Sequence, residues 1–297
     1  MRKILVSGGA GFVGSVLVPM LLEDGYEVRV LDNLTFGASS LMTSFSDPDF
    51  ELMVGDIRDE NKVREALEGV DAVIHLAAIV GYPACKADPW LAEEVNYKAT
   101  VKLNELRGDK LMVFASTTSN YGKVEGICTE ETPLNPLSVY GQTKTRAEEA
   151  IRGKNVIILR FATAFGLSPR LRNDLLINNL TQLAVKNKCL LLYEPKNKRT
   201  FIHVKDMAES FIFMLQHPEN GGEIFNVGDE KNNLTKEEII HLLEKKVDFV
   251  WNIAEGWKDE DMRDYEISYQ KIKNLGYQAQ IGIEEGIDEM IKGYKVL

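Results

Sequence analysis

Only three cysteines, Cys85, Cys128 and Cys189, occur among the 297 residues, and they stand far apart. Three scattered thiols supply neither a disulfide framework nor the paired spacings of a zinc site, so a reducing compartment is expected and no metal. Positive charge is also scarce: 35 Lys and Arg face 45 Asp and Glu, a net charge of -10. That excludes a general nucleic-acid-binding surface and leaves open only a local basic pocket for a phosphorylated ligand. No apolar run approaches the roughly 18 residues that cross a bilayer, and no cleavable leader precedes the first apolar run. Repeats of fixed period and low-complexity segments are missing too. A cytoplasmic protein with no membrane contact is the expectation. Hydrophobic residues make up 44% and charged residues 27%, an ordinary globular balance in a chain long enough for one large domain with an appended lobe.

The chain is organised around residues 1–32. The apolar run Ile4-Leu5-Val6 is followed by Ser7 and then Gly8-Gly9-Ala10-Gly11-Phe12-Val13-Gly14, a helical segment, and a second apolar run, Val28 to Leu31, that ends on Asp32. Strand, glycine turn, helix, strand and acid in that order predict a dinucleotide-binding βαβ unit. Glycines allow the tight turn and a close backbone approach to a pyrophosphate, while the helix start offers unpaired N–H groups to the anion. A carboxylate closing the second strand accepts hydrogen bonds from ribose hydroxyls and repels a 2′-phosphate, which favours NAD over NADP. Pro19 falls inside the helix and predicts a local kink.

Strand-like and helical patterns then alternate. Strands are expected at Glu51 to Val54, Ala72 to Leu76, Leu111 to Ala115 and Val156 to Arg160, with helices at about Glu60 to Glu68, Trp90 to Leu106 and Ser138 to Arg152. Nearly continuous apolar strands separated by helices predict a parallel sheet covered on both faces. From about Phe165 the rhythm changes, and runs such as Lys188 to Tyr193 and Glu223 to Val227 are expected as isolated strands. The expected division is a nucleotide-binding domain over residues 1–164, with parts of 200–230 returning to it, and a smaller α/β lobe over 165–297.

In such sheets the ligand crevice lies at the carboxyl ends of the strands. The fifth strand ends in Ser116-Thr117-Thr118-Ser119, and further on stands Tyr140-Gly141-Gln142-Thr143-Lys144. A Tyr and a Lys four residues apart share one helix face, so an ammonium sits beside a phenol. The positive neighbour favours the phenolate and lowers the tyrosine from its reference of about 10, making it a usable base near neutral pH. The Thr117 hydroxyl could hold a substrate oxygen from the other side. His75, on a strand, reads as a satisfied core histidine, and Cys85 as a packed loop residue.

Together these motifs resemble the extended short-chain dehydrogenase/reductases that act on sugar nucleotides, of which UDP-galactose 4-epimerase is the familiar member. The likeness extends over Asp32-Asn33-Leu34, Gly55-Asp56-Ile57-Arg58-Asp59, His75-Leu76-Ala77-Ala78, Asn96, the Tyr140/Lys144 pair, Arg199-Thr200-Phe201-Ile202-His203, Phe225-Asn226-Val227-Gly228 and Arg263-Asp264-Tyr265. The resemblance implies a Rossmann-type doubly wound sheet and an enzyme in which Tyr140 takes the proton of a sugar hydroxyl, usually at C4, while hydride passes to NAD. Lys144 would bind the nicotinamide ribose, and Thr117 the sugar oxygen. Cofactor contacts are implied at Gly8, Gly11, Phe12, Val13, Gly14, Asp32 and Asn33, at Asp56 and Ile57 around the adenine, and at Leu76, Ala77, Ala78, Asn96 and Phe161 along the cleft. Substrate contacts are implied at Tyr82, Thr118 and Thr163, with Arg199 and Arg263 on the sugar-nucleotide diphosphate, which suits their bidentate geometry.

Two departures bear on the reaction. Dehydratases of this family carry Asp-Glu after the threonine, whereas Thr118-Ser119 follow here, and Thr163 stands where an epimerase usually has Asn. The stretches Ala77 to Cys85 and Phe161 to Leu176 resemble a narrower branch that oxidises C4 of GDP-manno-heptose, with Arg170 and Arg172 as further diphosphate candidates. A 4-epimerase is therefore the first reading and a net 4-dehydrogenase the second, with 4,6-dehydration less favoured and a catalytically silent NAD-binding sensor as the contrasting class. The family's usual packing of the tyrosine-bearing helix implies a homodimer.

Overall fold

In the computed structural model, residues 2–254 and 264–297 are described. Seven strands form the central sheet: β1 (Lys3–Ser7), β2 (Glu27–Asp32), β3 (Phe50–Val54), β4 (Ala72–His75), β5 (Leu111–Thr117), β6 (Val156–Phe161) and β7 (Ile224–Val227). All are parallel, in the spatial order β3-β2-β1-β4-β5-β6-β7. The order reverses between β1 and β4, so the loops leaving those two strands diverge and open a crevice at their carboxyl ends.

Helices cover both faces. On one side α1 (Gly14–Glu23) and a long helix at Val204–Gln216 bring Leu17, Val18, Leu21, Phe211 and Leu215 onto the sheet. On the other, α2 (Glu60–Leu67), the helical stretch 89–106 and α3 (Val139–Ile151) bury Val63, Ala66, Val95, Leu103, Ala147 and Ile151. The strands between them are apolar on both faces because both are covered. α2 starts cleanly: the Asp59 carboxylate accepts the N–H groups of Asn61 and Lys62 at 2.9 and 3.2 Å.

The stretch 89–106 departs from a uniform helix. An α-turn at Pro89–Ala92 passes into a π-helical turn at Glu93–Lys98 before the regular helix Ala99–Leu106. A third core joins residues of the C-terminal part, including Phe165, Phe201, Ile239, Leu243, Ile287 and Tyr294. Around it, Lys198–His203 pairs in parallel with Thr163–Phe165 and antiparallel with Asn233–Thr235.

Two strands differ from expectation. The run ending at Val227 is not isolated: Ile224–Val227 is the edge strand β7, in register with Ile158 to Phe161 of β6. A buried run of four residues carries no mark of which neighbour it joins. The strand Lys123–Cys128, which the pattern did not suggest, pairs with Asp264–Ile267 and holds the segment after β5 against the C-terminal part. Among the described residues no helix is long and apolar enough to cross a membrane.

Candidate active site

The glycine turn after β1 is packed backbone to backbone. Gly8 has a φ of 76°, and a Cβ there would stand 2.7 Å from the Ala77 backbone nitrogen; one at Gly14 would stand 2.5 Å from the Gly9 Cα. Side chains at either position would push the turn off β4 or off α1. Gly11 differs, since a Cβ there meets only the Gly8 carbonyl, at 3.2 Å, and its outer face is open. That open glycine beside the start of α1, with Phe12 and Val13 between it and Gly14, could cradle a diphosphate. At the end of β2 the Asp32 carboxylate accepts from the Ala10 N–H at 3.0 Å and the Leu34 N–H at 2.8 Å. It braces the turn and retains lone pairs for a ribose. Asp56 is held by Arg58 at 2.7 and 2.9 Å, and hydrogen bonding to that guanidinium keeps its carboxyl below the usual range, with Asn33 contributing. Ile57 and Phe12 are buried, and Leu76 and Ala77 pack against the two sheet cores. The donor-rich open turn and the acid closing β2 fit a dinucleotide.

Tyr140 and Lys144 lie on the first two turns of α3, whose cap is Ser138, accepting from the Gly141 N–H at 3.1 Å. Lys144 is only 2% exposed, and its ammonium stands 4.0 Å from the centre of the Phe114 ring, a cation–π contact from β5. Burial pushes the amine down to about 7, against the opposing pull of Glu148 one turn further on. Its charge is thus poised near neutral pH, one turn from the Tyr140 phenol. Thr117 closes β5, buried, its hydroxyl donating to Ser119 Oγ at 3.0 Å and accepting the Ser119 N–H at 3.1 Å.

Buried hydrogen bonds hold this geometry in place. The Asn96 amide accepts from the Ile79 N–H at 2.8 Å and donates to the Ile79 carbonyl at 2.9 Å, so it fixes the loop that leaves β4. Its own position is set by the π-helical turn, a feature common at functional sites. His75 is saturated, with Nδ1 2.6 Å from Ser7 Oγ and Nε2 2.9 Å from Thr100 Oγ1. Because Thr100 donates its proton to the Asn96 carbonyl at 2.8 Å, Nε2 is the donor and Nδ1 the acceptor, and burial holds the ring neutral. Cys85 is buried and donates to the Ile79 carbonyl at 3.2 Å, its thiol pushed up to about 11 by burial.

One group escaped the sequence reading. Glu148 and Arg160 form an ion pair that is almost wholly buried. The Glu148 carboxylate also accepts from Ser116 Oγ at 2.8 Å and Asn120 Nδ2 at 3.1 Å, while Arg160 donates to Tyr121 at 2.9 Å. Spacing alone could have flagged Glu148, four residues beyond Lys144 on the same helix face.

The substrate candidates are spread around the crevice. Thr118 is buried with its hydroxyl 3.1 Å from that of Tyr265, and Thr163 pairs in register with Phe201. Phe161, implied as a cofactor contact along the cleft, packs on Phe211 at 5.1 Å in the core behind the sheet. Tyr82 opens a short helix after Gly81, and Arg172 approaches the same glycine, 3.6 Å from where a Cβ would stand. Arg172 binds Asp174 through Nε at 2.8 Å, whereas Arg170 turns away to the Phe36 ring at 3.7 Å. Arg199 is buried on Lys198–His203, and Arg263 lies outside the described residues. Among the described residues no group of three His, Cys, Asp or Glu could hold a metal.

The chain is 31% identical to a UDP-glucose 4-epimerase of Lactobacillus helveticus over 76% of each chain, and 30% identical to the low-salt glycan biosynthesis protein Agl12 of Haloferax volcanii over 98% of each. The structure of a UDP-glucuronic acid 4-epimerase from Bacillus cereus, in complex with UDP-glucuronic acid and NAD, superposes with a TM-score of 0.88 at 26% identity, covering 99% of both chains. Residues 4–228 match the model of the NAD dependent epimerase/dehydratase family, and the chain belongs to that family of enzymes.

Proposed function

We propose that the protein is a nucleotide-sugar 4-epimerase. The observation that carries the reading is the packing of α3 on β5, where the Lys144 ammonium lies over the Phe114 ring, with Tyr140 one turn earlier on the same helix, Thr117 closing the strand, and no carboxylate at Thr118 or Ser119 to eliminate water. Tyr140, as phenolate beside the Lys144 ammonium, accepts the proton of the C4 hydroxyl, and Thr117 holds the C4 oxygen while its bond order changes. NAD, when bound, supplies the reversible hydride acceptor for C4. The Tyr140 hydroxyl then returns the proton after the sugar has presented its other face. Asp32 would hold the adenosine ribose, and Arg199 with Arg263 the sugar-nucleotide diphosphate. The UDP-glucose 4-epimerase and UDP-glucuronic acid 4-epimerase among the similar proteins support a uridine nucleotide.

A second reading, net 4-dehydrogenation, draws on the stretches Ala77 to Cys85 and Phe161 to Leu176. Both use the same three residues. Absorbance at 340 nm with UDP-, GDP-, CDP- and dTDP-sugars, followed by NMR of the products, separates them. An inverted C4 centre with no lasting absorbance is expected; a rise that stalls near one NADH per subunit, with a 4-keto product, overturns epimerisation. We also propose the division into a dinucleotide-binding part over 1–164, joined by parts of 200–230, and a sugar-nucleotide lobe over the rest, with two copies joined as a homodimer.

A further inference from the structure

Beyond the strand Thr163–Phe165 the chain passes over the start of α1. Ser168 anchors it there: its buried hydroxyl donates to the Phe12 carbonyl at 2.6 Å and lies 2.8 Å from the Ser15 hydroxyl. Two residues on, the Arg170 guanidinium reaches the turn that follows β2 and lies on Phe36, 3.7 Å from its ring centre. Phe36 belongs to the turn that follows Asp32, and 64% of its surface is exposed. So exposed a ring gains little from burial, and the contact with the cation is what places it.

The charge on Arg170 is the second observation. Its Nη1 donates to the Leu171 carbonyl at 2.7 Å, and it forms no ion pair among the described residues, although it is half-buried. Arg172, by contrast, is neutralised by Asp174. A partly desolvated guanidinium with no ion pair of its own, only the longer-range pull of Asp174, on a segment that Ser168 anchors at the start of α1, is relieved by an anion that accepts from its remaining N–H groups.

We propose that Arg170 and Phe36 form a latch across the dinucleotide crevice, the guanidinium closing over the cofactor's pyrophosphate with the ring as its backing, so that cofactor release is slow. The inference rests on the NAD site of the family and moves Arg170 from the diphosphate of the sugar nucleotide, where the resemblance placed it, to that of the cofactor.

Release of NADH, followed by its fluorescence after the loaded protein is mixed with excess NAD, tests the latch in the parent, in Arg170→Met, in Phe36→Ala and in the double variant. Affinity for UDP or GDP, whichever the parent binds, is measured alongside by calorimetry. Each single variant is expected to speed release roughly tenfold. The double variant should be little faster than either, because the two side chains act as one unit. Nucleotide affinity should not change. Unaltered release in either single variant overturns the latch, as does a loss of nucleotide affinity in Arg170→Met with Phe36→Ala silent. A parent that takes up no NADH sinks the dinucleotide site itself, an outcome distinct from a site that binds without a latch.

Discussion

Tyr140 and His75 show how differently two titratable side chains of one crevice are used. Tyr140 sits half-buried at the start of α3, beside a lysine whose charge is poised near neutral pH. Replacing it by Phe would remove the proposed proton acceptor and keep the ring. Turnover is expected to fall by about 10²- to 10⁴-fold with NAD content unchanged, read by coupled assay and by the absorbance of released cofactor. A silent NAD-binding sensor predicts instead no turnover in the parent and nothing for Tyr140→Phe to remove. His75 does no chemistry, and its protonation matters only for stability. Burial pushes its ring from the ordinary 6.5 down to about 3, and burial pushes His203 to about 4. As pH falls through 6.5, the unfolded chain takes up protons that the folded protein refuses. Stability is therefore fully present above pH 6.5 and is lost toward pH 4, by about 1.4 kcal/mol per pH unit for each ring. Urea unfolding between pH 5 and 6.5 should show that slope, and His75→Gln should reduce it by about one proton. An unchanged slope in the variant would place the acid sensitivity elsewhere.

The elements of this fold were legible to different depths. Glycine turn, apolar strand and helical period coincide in β1, α1 and β2, so residues Lys3 to Asp32 could be read with their chemistry. Lys123–Cys128 could not, because most of its side chains face solvent and its partner Asp264–Ile267 is remote in sequence. The π-helical turn that aims Asn96 at the Ile79 backbone leaves no mark in composition. The Glu148–Arg160 pair joins α3 to β6; spacing places Glu148 on the Lys144 face but nothing in the sequence pairs it with Arg160, and the pair is the strongest test at this scale. Removing one partner leaves the other charged and buried, which costs about 3–5 kcal/mol. Glu148→Leu combined with Arg160→Met should cost clearly less than the two singles together, because the orphaned charge is gone. Some cost remains, since Ser116, Asn120 and Tyr121 lose their partners. Denaturant midpoints of the four proteins give the coupling energy, and additive losses would contradict it. Glu148→Leu also removes the carboxylate that sustains the Lys144 charge, so the alkaline arm of its activity profile should move to lower pH.

For the whole molecule the open question is what covers the outer faces of 89–106 and α3. The two pack against each other through Arg146, which binds Glu93 at 2.8 Å and lies 4.1 Å from the centre of the Tyr97 ring. Beside that contact, Pro89, Pro136, Val139 and Gln142 line a groove together with Glu93 and Arg146, and their chain neighbours Trp90 and Leu137 are 65% and 51% exposed. A second copy related by a two-fold axis would bring the same two helices to face themselves, and four helices packed in this way can reach the roughly 1,200–2,000 Å² that a stable interface buries. The interface would then stiffen the helix that carries Tyr140 and Lys144 from its outer side, so association and turnover are coupled. Sedimentation at micromolar concentration should return twice the 33.4 kDa of one chain. Trp90→Glu places a charge in the patch that such an interface would bury and should yield monomers that keep NAD, since Trp90 is not among the residues of the glycine turn or the end of β2, but turn over more slowly as dilution proceeds. Monomer mass in the parent, or a Trp90→Glu variant that remains dimeric, would show that these helices face solvent and that Trp90 is only an exposed aromatic.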